Sequence, residues 1–313
     1  MTKNHYQELL QLCKNIPPVP TAVVHPCESS ALQGALEAAE LGLIDPILVG
    51  PEQKIKSVAQ EAGLDLGNYR IESVEHSHAA AKRGVELVRE GRAAMMMKGS
   101  LHSDELLSAV ASSSTGLRTA RRLSHVFAMN VPSYHKPLFI TDAAVNIAPN
   151  LDEKADICRN AIDLLKVLGI DRPKLALLSA VETVTAKLPS TLEAAALVVM
   201  SHRGQIEGGI LDGPLAFDNA INAEAARIKG IVSEVAGDPD VLVVPDLESG
   251  NMVAKQLIYL AGAQAAGIVL GARVPIVLTS RSDPAPARIS SCVLCVLLAD
   301  AQQKQAASAL VKN

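Results

Sequence analysis

The 313-residue sequence has no tryptophan, three phenylalanines and four tyrosines, so aromatics are only 2% of the chain. Stacking platforms for nucleic-acid bases are hard to build from so few rings. A basic excess is also missing: 29 Lys and Arg stand against 33 Asp and Glu, a formal charge of −4. Binding that depends on neutralising a phosphate backbone is therefore not expected. Apolar runs such as Ala194–Met200 and Val293–Ala299 are only seven residues long, against about 20 for a bilayer-spanning helix. The N-terminus, Met1-Thr-Lys-Asn-His-Tyr-Gln-Glu, lacks the apolar run of a signal peptide. The expectation is a cytoplasmic protein with no membrane or nucleic-acid partner. Five cysteines are too few for a disulfide scaffold at this length. Cys292 and Cys295 form a C-x-x-C pair that could be redox-active, but Ser291-Cys-Val-Leu-Cys-Val-Leu-Leu reads as a buried segment with structural thiols.

Motifs are missing too. The chain has no G-x-G-x-x-G, no G-x-x-x-x-G-K-[ST], no G-x-S-x-G and no H-E-x-x-H. His76 and His78 have no carboxylate or thiolate partner at a telling spacing, so no metal site is expected.

What is present is a 49% apolar, 20% charged composition and an alternation of short aliphatic runs with amphipathic stretches. Strands are expected at 21–25, 47–50, 93–98, 124–129, 137–141, 174–178, 209–212, 241–244 and 275–278. Helices are expected at 30–41, 52–62, 78–89, from 103, and at 152–168, 190–203, 220–229, 251–265 and 287–309. That rhythm implies an α/β fold with mainly parallel sheets covered by helices. The weakest joint is Ile147-Ala-Pro-Asn-Leu-Asp-Glu. It suggests a first domain of residues 1–147, completed by the C-terminal helix 287–313, and a second of residues 148–286.

Ligands of open α/β sheets bind beyond the carboxyl ends of strands, and five such ends are polar here. They are Lys98-Gly-Ser-Leu-His102-Ser103, Asp142 to Asn146, Asp212-Gly-Pro, Asp246-Leu-Glu-Ser-Gly-Asn251 and Thr279-Ser280-Arg281-Ser282-Asp283. A hydroxyl followed by Arg281 before a helix suits an anion, because a guanidinium can fork onto two phosphate oxygens. The same Arg could instead pair with Asp283 and close the loop. Arg118, Arg121 and Arg122 form a basic cluster that reads either as a grip on a phosphorylated ligand or as a solvated face.

These residues resemble the phosphate acetyltransferase / phosphate butyryltransferase family over nearly the whole chain. The resemblance rests on Met97-Lys-Gly-Ser-Leu-His-Ser, Thr115-Gly-Leu-Arg-Thr with Leu123-Ser-His-Val, and Thr141-Asp-Ala-Ala-Val-Asn-Ile-Ala-Pro. It continues in Leu211-Asp-Gly-Pro-Leu-Ala-Phe-Asp, Pro245-Asp-Leu-Glu-Ser-Gly-Asn and Pro275-Ile-Val-Leu-Thr-Ser-Arg-Ser-Asp. It looks closest to the butyryltransferase branch and to the acyltransferase part of enoyl-CoA hydratase fusions. The resemblance implies two open α/β domains with the site in the cleft between them, a fold similar to isocitrate and isopropylmalate dehydrogenases, and usually a homodimer.

It also implies the reaction acyl-CoA + phosphate ⇌ acyl phosphate + CoA with a short acyl group, acetyl or butyryl. Coenzyme A then enters as a substrate, and no permanent cofactor or metal is needed. By likeness Ser280 and Arg281 act on the reacting groups; Asp283, near them in sequence, is a candidate base or a partner of Arg281. Lys98, His102, Ser103, Arg118, Asp142, Asn146, Asp212, Asp246 and Asn251 line the substrates. Two positions depart from the acetyltransferase branch. Ala287 stands where that branch carries a carboxylate, and Ala109 where it carries an Arg. The alternatives are a metal-dependent 2-hydroxy-acid dehydrogenase of similar fold, with Asp212, Asp246 and Asp283 as ligands, and a catalytically silent CoA-binding member.

Overall fold

The computed structural model of the chain describes residues 4–280 and 283–311. In chain order the elements are α1 (Asn4–Cys13), β1 (Val19–Val24), α2 (Ser29–Glu40), β2 (Ile44–Gly50), α3 (Glu52–Ala62), β3 (Arg70–Ser73), α4 (Ser77–Arg89), β4 (Met95–Lys98) and α5 (Ser103–Ala111). Next come β5 (Ser124–Asn130), β6 (Leu138–Thr141), α6 (Leu151–Val167), β7 (Lys174–Leu178), α7 (Pro189–His202), β8 (Ile210–Leu215), α8 (Phe217–Ile221) and α9 (Ala223–Ile228). The last are β9 (Val241–Val243), α10 (Leu247–Tyr259), β10 (Gln264–Leu270), β11 (Ile276–Val277) and α11 (Ala285–Val311). The fold is mixed α/β and its strand pairings are mostly parallel.

Two compact units divide the chain: residues 1–120 with 266–313, and residues 121–265. The boundary expected after residue 147 thus falls at 120/121, and the chain returns at 265/266 rather than at 286/287. The reason is strand pairing. β5 and β6, placed in the first domain by the sequence, form a hairpin whose second strand lies parallel to β9. β11, placed in the second domain, lies parallel to β4 with Ile276 opposite Met96 and Val277 opposite Met97.

In the first unit the strand order is β3-β2-β1-β4-β11-β10. Its core is aliphatic: Met95, Met96 and Met97 on β4 are fully buried, as are Ala22, Val23 and Val24 on β1. Helix α11 packs on α1, α2, β4 and β11. Its apolar residues go all round the helix, the pattern of a buried helix, and Cys292 to Ala299 are all buried. Residues Ala285–Ser308 are long and apolar enough to cross a membrane, the one such stretch among the described residues, and most of the apolar window lies inside the unit. Burial pushes the Cys292 thiol up to about 12 and Cys295 well above the ordinary thiol range. Both are therefore inert protonated thiols.

In the second unit the order is β5-β6-β9-β7-β8. Its core gathers Ile140, Ala176, Leu178, Leu215, Leu242 and Val244 from the strands and their ends, and Ala220 and Ala254 from helices. Helix α6 starts with a capping box, in which Asn150 Oδ1 accepts the Glu153 N–H and Glu153 Oε2 accepts the Asn150 N–H, each at 3.0 Å. It ends at Gly169 with φ +86°. Three expected elements differ. The helix expected over 220–229 is split into α8 and α9, with Asn222 as the N-cap of the second. The helix expected to run to Ala265 stops at Tyr259, because Gly262 turns the chain at φ +67° and Gln264–Leu270 pairs as a strand. The short strand expected over 209–212 extends to Leu215.

Candidate active site

The first unit builds its polar end from three neighbouring parallel strands. β4 lies between β1 and β11, with Val24 opposite Lys98 and Val277 opposite Met97. The turns after all three strands therefore emerge at one edge. After β1 comes His25 at φ +55°. After β4 comes Gly99, whose N–H donates to the Val24 carbonyl at 2.8 Å. A Cβ at Gly99 would lie 2.4 Å from both the Val24 and His25 carbonyl oxygens, so only glycine permits this approach. Ser100 knots the two turns. Its N–H and Oγ both donate to the His25 carbonyl at 2.9 Å, and its Oγ lies 3.1 Å from His25 Nδ1. Burial, then the nearby Lys54 charge, hold His25 below the usual histidine range. Lys98 is buried, and its ammonium donates to the carbonyls of Gly99 at 3.1 Å and Leu101 at 3.0 Å. His102 is the exposed N-cap of α5, its N–H 3.4 Å from Glu105 Oε1, and Ser103 opens the helix.

After β11 stands Thr279, buried, and then Ser280, exposed. The Ser280 N–H donates to Asp283 Oδ2 at 2.7 Å. Arg281 lies outside the described residues. Ser280, placed in the second domain by the sequence, follows a strand of the first unit, beside the Lys98–Ser103 turn. Arg118 is exposed, and its backbone bridges Ala272 in the same unit. Ala109 lines a hollow between α4 and α5 with Lys82 and Arg89.

The second unit has its own polar edge. Asp142, after β6, is buried, and its Oδ1 accepts the N–H groups of Ala144 (2.9 Å) and Val145 (3.0 Å). Its Oδ2 accepts the N–H of Asn146 at 3.1 Å and the Asn146 side chain at 2.5 Å. Burial pushes the Asp142 carboxyl up, and these donors oppose it. Asn146 Oδ1 in turn accepts Arg122 Nε at 2.7 Å. The basic cluster is thus dispersed: Arg122 pairs with Glu153 at 3.1 Å and Arg121 with Asp156 at 3.6 Å. The polar stretch from Asp246 to Asn251 is the N-cap and first turns of α10. Asp246 Oδ1 accepts the Ser249 N–H at 2.8 Å, and Asn251 Nδ2 donates to the Ala143 carbonyl at 3.2 Å. Asp212 was read as a strand end but lies inside β8, its Oδ1 accepting the adjacent Gly213 N–H.

The true end of β8 carries residues the sequence reading missed. Lys229 pairs with Glu182 at 3.2 Å and Asp218 at 3.1 Å, and buried Asn219 donates to Glu182 at 3.2 Å. Extending the strand to Leu215, where the apolar residues continue past Gly-Pro, would have pointed to them. Among the described residues no cluster of three His, Cys, Asp or Glu side chains is arranged to hold a metal.

Residues 75–296 match the family described as Phosphate acetyl/butaryl transferase. The chain belongs to that family. It is similar to the phosphate acetyltransferase of Rhizobium meliloti, at 61% identity over 94% of this chain and 93% of that protein. It is 38% identical to the phosphate butyryltransferase of Clostridium acetobutylicum over 94% of this chain and 98% of that protein. Among solved structures it resembles a branched-chain phosphotransacylase from Enterococcus faecalis V583, with TM-score 0.77 and 29% identity over 90% of this chain and 99% of that one. The phosphotransacylase likeness describes a mixed α/β fold with a mostly parallel sheet.

Proposed function

We propose that the protein is a phosphate acyltransferase catalysing acyl-CoA + phosphate ⇌ acyl phosphate + CoA, with acetyl as the favoured acyl group. Family membership supports the reaction. The preference for acetyl is supported by 61% identity to a relative named an acetyltransferase, against 38% to one named a butyryltransferase. The observation that carries the site is the hydrogen bond from the Ser280 N–H to the Asp283 carboxylate, just past the carboxyl end of β11 and beside the buried turn after β4.

In the direction of acyl-CoA synthesis the thiolate of CoA attacks the acyl carbonyl carbon. The C–S bond forms, the C–O bond to phosphorus breaks, and phosphate leaves with the electron pair. Ser280 donates a hydrogen bond to the carbonyl oxygen as it gains negative charge. Arg281, next in sequence, supplies the cation for the phosphate oxygens. Asp283 ties Ser280, since its Oδ2 already accepts the Ser280 N–H. With Ala287 in place of a carboxylate, the thiol proton passes to the phosphate itself. About a few per cent of a thiol is already ionised at pH 7, and holding both substrates together supplies much of the rate. Lys98 and Ser100 fix the neighbouring turn, on which His102 and Ser103 meet the substrate. Arg118, Asp142, Asn146, Asp212, Asp246 and Asn251 remain candidates for contacts to CoA or phosphate. Of these, Asp142 and Asn146 act through the backbone they hold.

Five unpaired, buried cysteines suit a reducing compartment, which supports a cytoplasmic location. The family resemblance supports a homodimer.

Phosphate-dependent CoA release should be measured across acetyl-, propionyl-, butyryl- and isobutyryl-CoA. The expected order has acetyl-CoA highest in kcat/KM. A preference for butyryl-CoA would reverse the assignment of the acyl group. Ser280→Ala should lower kcat by about 10²-fold, the effect of removing one oxyanion donor.

A further inference from the structure

Arg288 is a buried cation to which no role has yet been given. It sits in the first turns of α11 with only 2% of its surface exposed. Its Nη1 lies 3.4 Å from Thr279 Oγ1. Its Nη2 lies 3.4 Å from the Ser280 carbonyl, 3.3 Å from the Asp283 carbonyl and 3.5 Å from Ser30 Oγ on α2. Each of these contacts is long and individually weak. Together they bind one planar group to Thr279 past the end of β11, to the backbone of Ser280 and Asp283, and to the first turn of α2.

The stem of the side chain is fixed as well. It crosses α2 at Gly34, where a Cβ would come within 2.6 Å of Arg288 Cδ. A glycine inside a helix costs roughly 1 kcal/mol relative to alanine, so its presence under this stem marks the space the stem requires. A guanidinium in so closed a place must be compensated. Asp283 and Glu28 supply the opposing charge, and the two carbonyls and two hydroxyls supply acceptors.

We infer that Arg288 is a positioning residue for acyl transfer, its guanidinium holding the backbone of Ser280 and Asp283 to Thr279 and α2 so that Ser280 is presented. This rests on the reading of Ser280 as a residue of the acyltransferase site. The carboxylate of Asp283 ties Ser280 through its N–H, and Arg288 meets the carbonyls of the same two residues. A lysine offers a point charge in place of a planar fork and lacks the spread of donors that reaches Thr279 from one nitrogen and Ser280 and Asp283 from the other. Arg288→Lys should therefore behave like a loss.

The test joins an activity measurement with one that does not depend on activity. Amide hydrogen exchange should be followed in full-length wild type, Arg288→Lys, Arg288→Met and Gly34→Ala. In all three variants, exchange across residues 279–283 should rise about tenfold or more while β1 and β4 keep their protection, because the opening is local. Gly34→Ala keeps the charge and favours the helix, so it tests the stem if the Arg288 variants fail to fold. In a double-mutant cycle on phosphate-dependent CoA release, Arg288→Met should lower kcat/KM by about 10- to 100-fold alone. It should lower it less than about threefold in the Ser280→Ala background, as expected for groups acting as one unit. Unchanged exchange over 279–283, or effects that multiply in the cycle, would overturn the inference. A wild type without phosphate-dependent CoA release would instead refute the proposed reaction, and the exchange result would still decide whether Arg288 holds the backbone of Ser280 and Asp283.

Discussion

The carboxylate of Asp283 accepts the backbone N–H of Ser280 at 2.7 Å. That bond gives Asp283 a structural task three residues from the serine, and it separates two roles that the sequence left open. An asparagine can still accept this hydrogen bond, whereas it cannot take up a proton as a base. Asp283→Asn should therefore keep kcat within about threefold, and Asp283→Ala should lose about 1.5–3 kcal/mol of transition-state stabilisation, the range for a charged hydrogen bond. Steady-state kinetics against pH decide it. An acidic limb that disappears in Asp283→Asn would show that Asp283 is the base.

Gly99 is the tightest point of the turn after β4. An alanine there would press on the Val24 and His25 carbonyls, both backbone atoms that cannot rotate away. Gly99→Ala should destabilise the protein by about 1–3 kcal/mol, as overpacking does, and lower activity by displacing Ser100 and Lys98. Urea denaturation reads the first effect; a stability equal to wild type would mean the turn relaxes freely.

In the second unit, both oxygens of Asp142 face N–H donors from Ala144, Val145 and Asn146. The amide of Asp142→Asn would aim an NH2 at one pair of those donors in either orientation. The cost should be about 1–3 kcal/mol, the penalty for a buried donor without an acceptor. Asp142→Asn with wild-type denaturation midpoint would contradict this network.

Asp238 sets an acid limit. Burial pushes its carboxyl up, but Lys174, Lys136 and His135 outweigh that and bring it down to about 2. A carboxylate with a depressed folded pKa contributes stability above its unfolded value, near 3.9, and loses it as the pH falls towards the folded one. The side chain is 42% exposed, so solvent screening leaves about 1 kcal/mol or less. Between about pH 4 and pH 2 the stability of Asp238→Asn should fall less steeply than that of wild type. Equal slopes would remove Asp238 from the acid response.

Much of this fold was legible in the sequence because the helices announce their ends. Glu52–Ala62 and Lys174–Leu178 occur where the pattern placed them, and Asn150 with Glu153 marks the start of α6. The pairing of strands was less legible, since nothing local in Pro275-Ile-Val-Leu says that β11 joins β4 rather than β9. The strand β10 was hidden because Gln264-Ala-Ala continues an alanine-rich helical pattern, and only the left-handed Gly262 breaks it. At the site, the hydroxyl-and-guanidinium signal of Ser280-Arg281 was visible as a motif. Arg288 was not, because a lone arginine in an apolar helix gives no sign of the carbonyls it will meet.

The account stands most directly on one assay of the purified protein. Acetyl-CoA should be mixed with the enzyme with and without inorganic phosphate, and free thiol and acetyl phosphate should be quantified together. CoA release that requires phosphate, with one acetyl phosphate formed per thiol, is the expected result. Thiol release without phosphate, or without acetyl phosphate, would contradict the assignment.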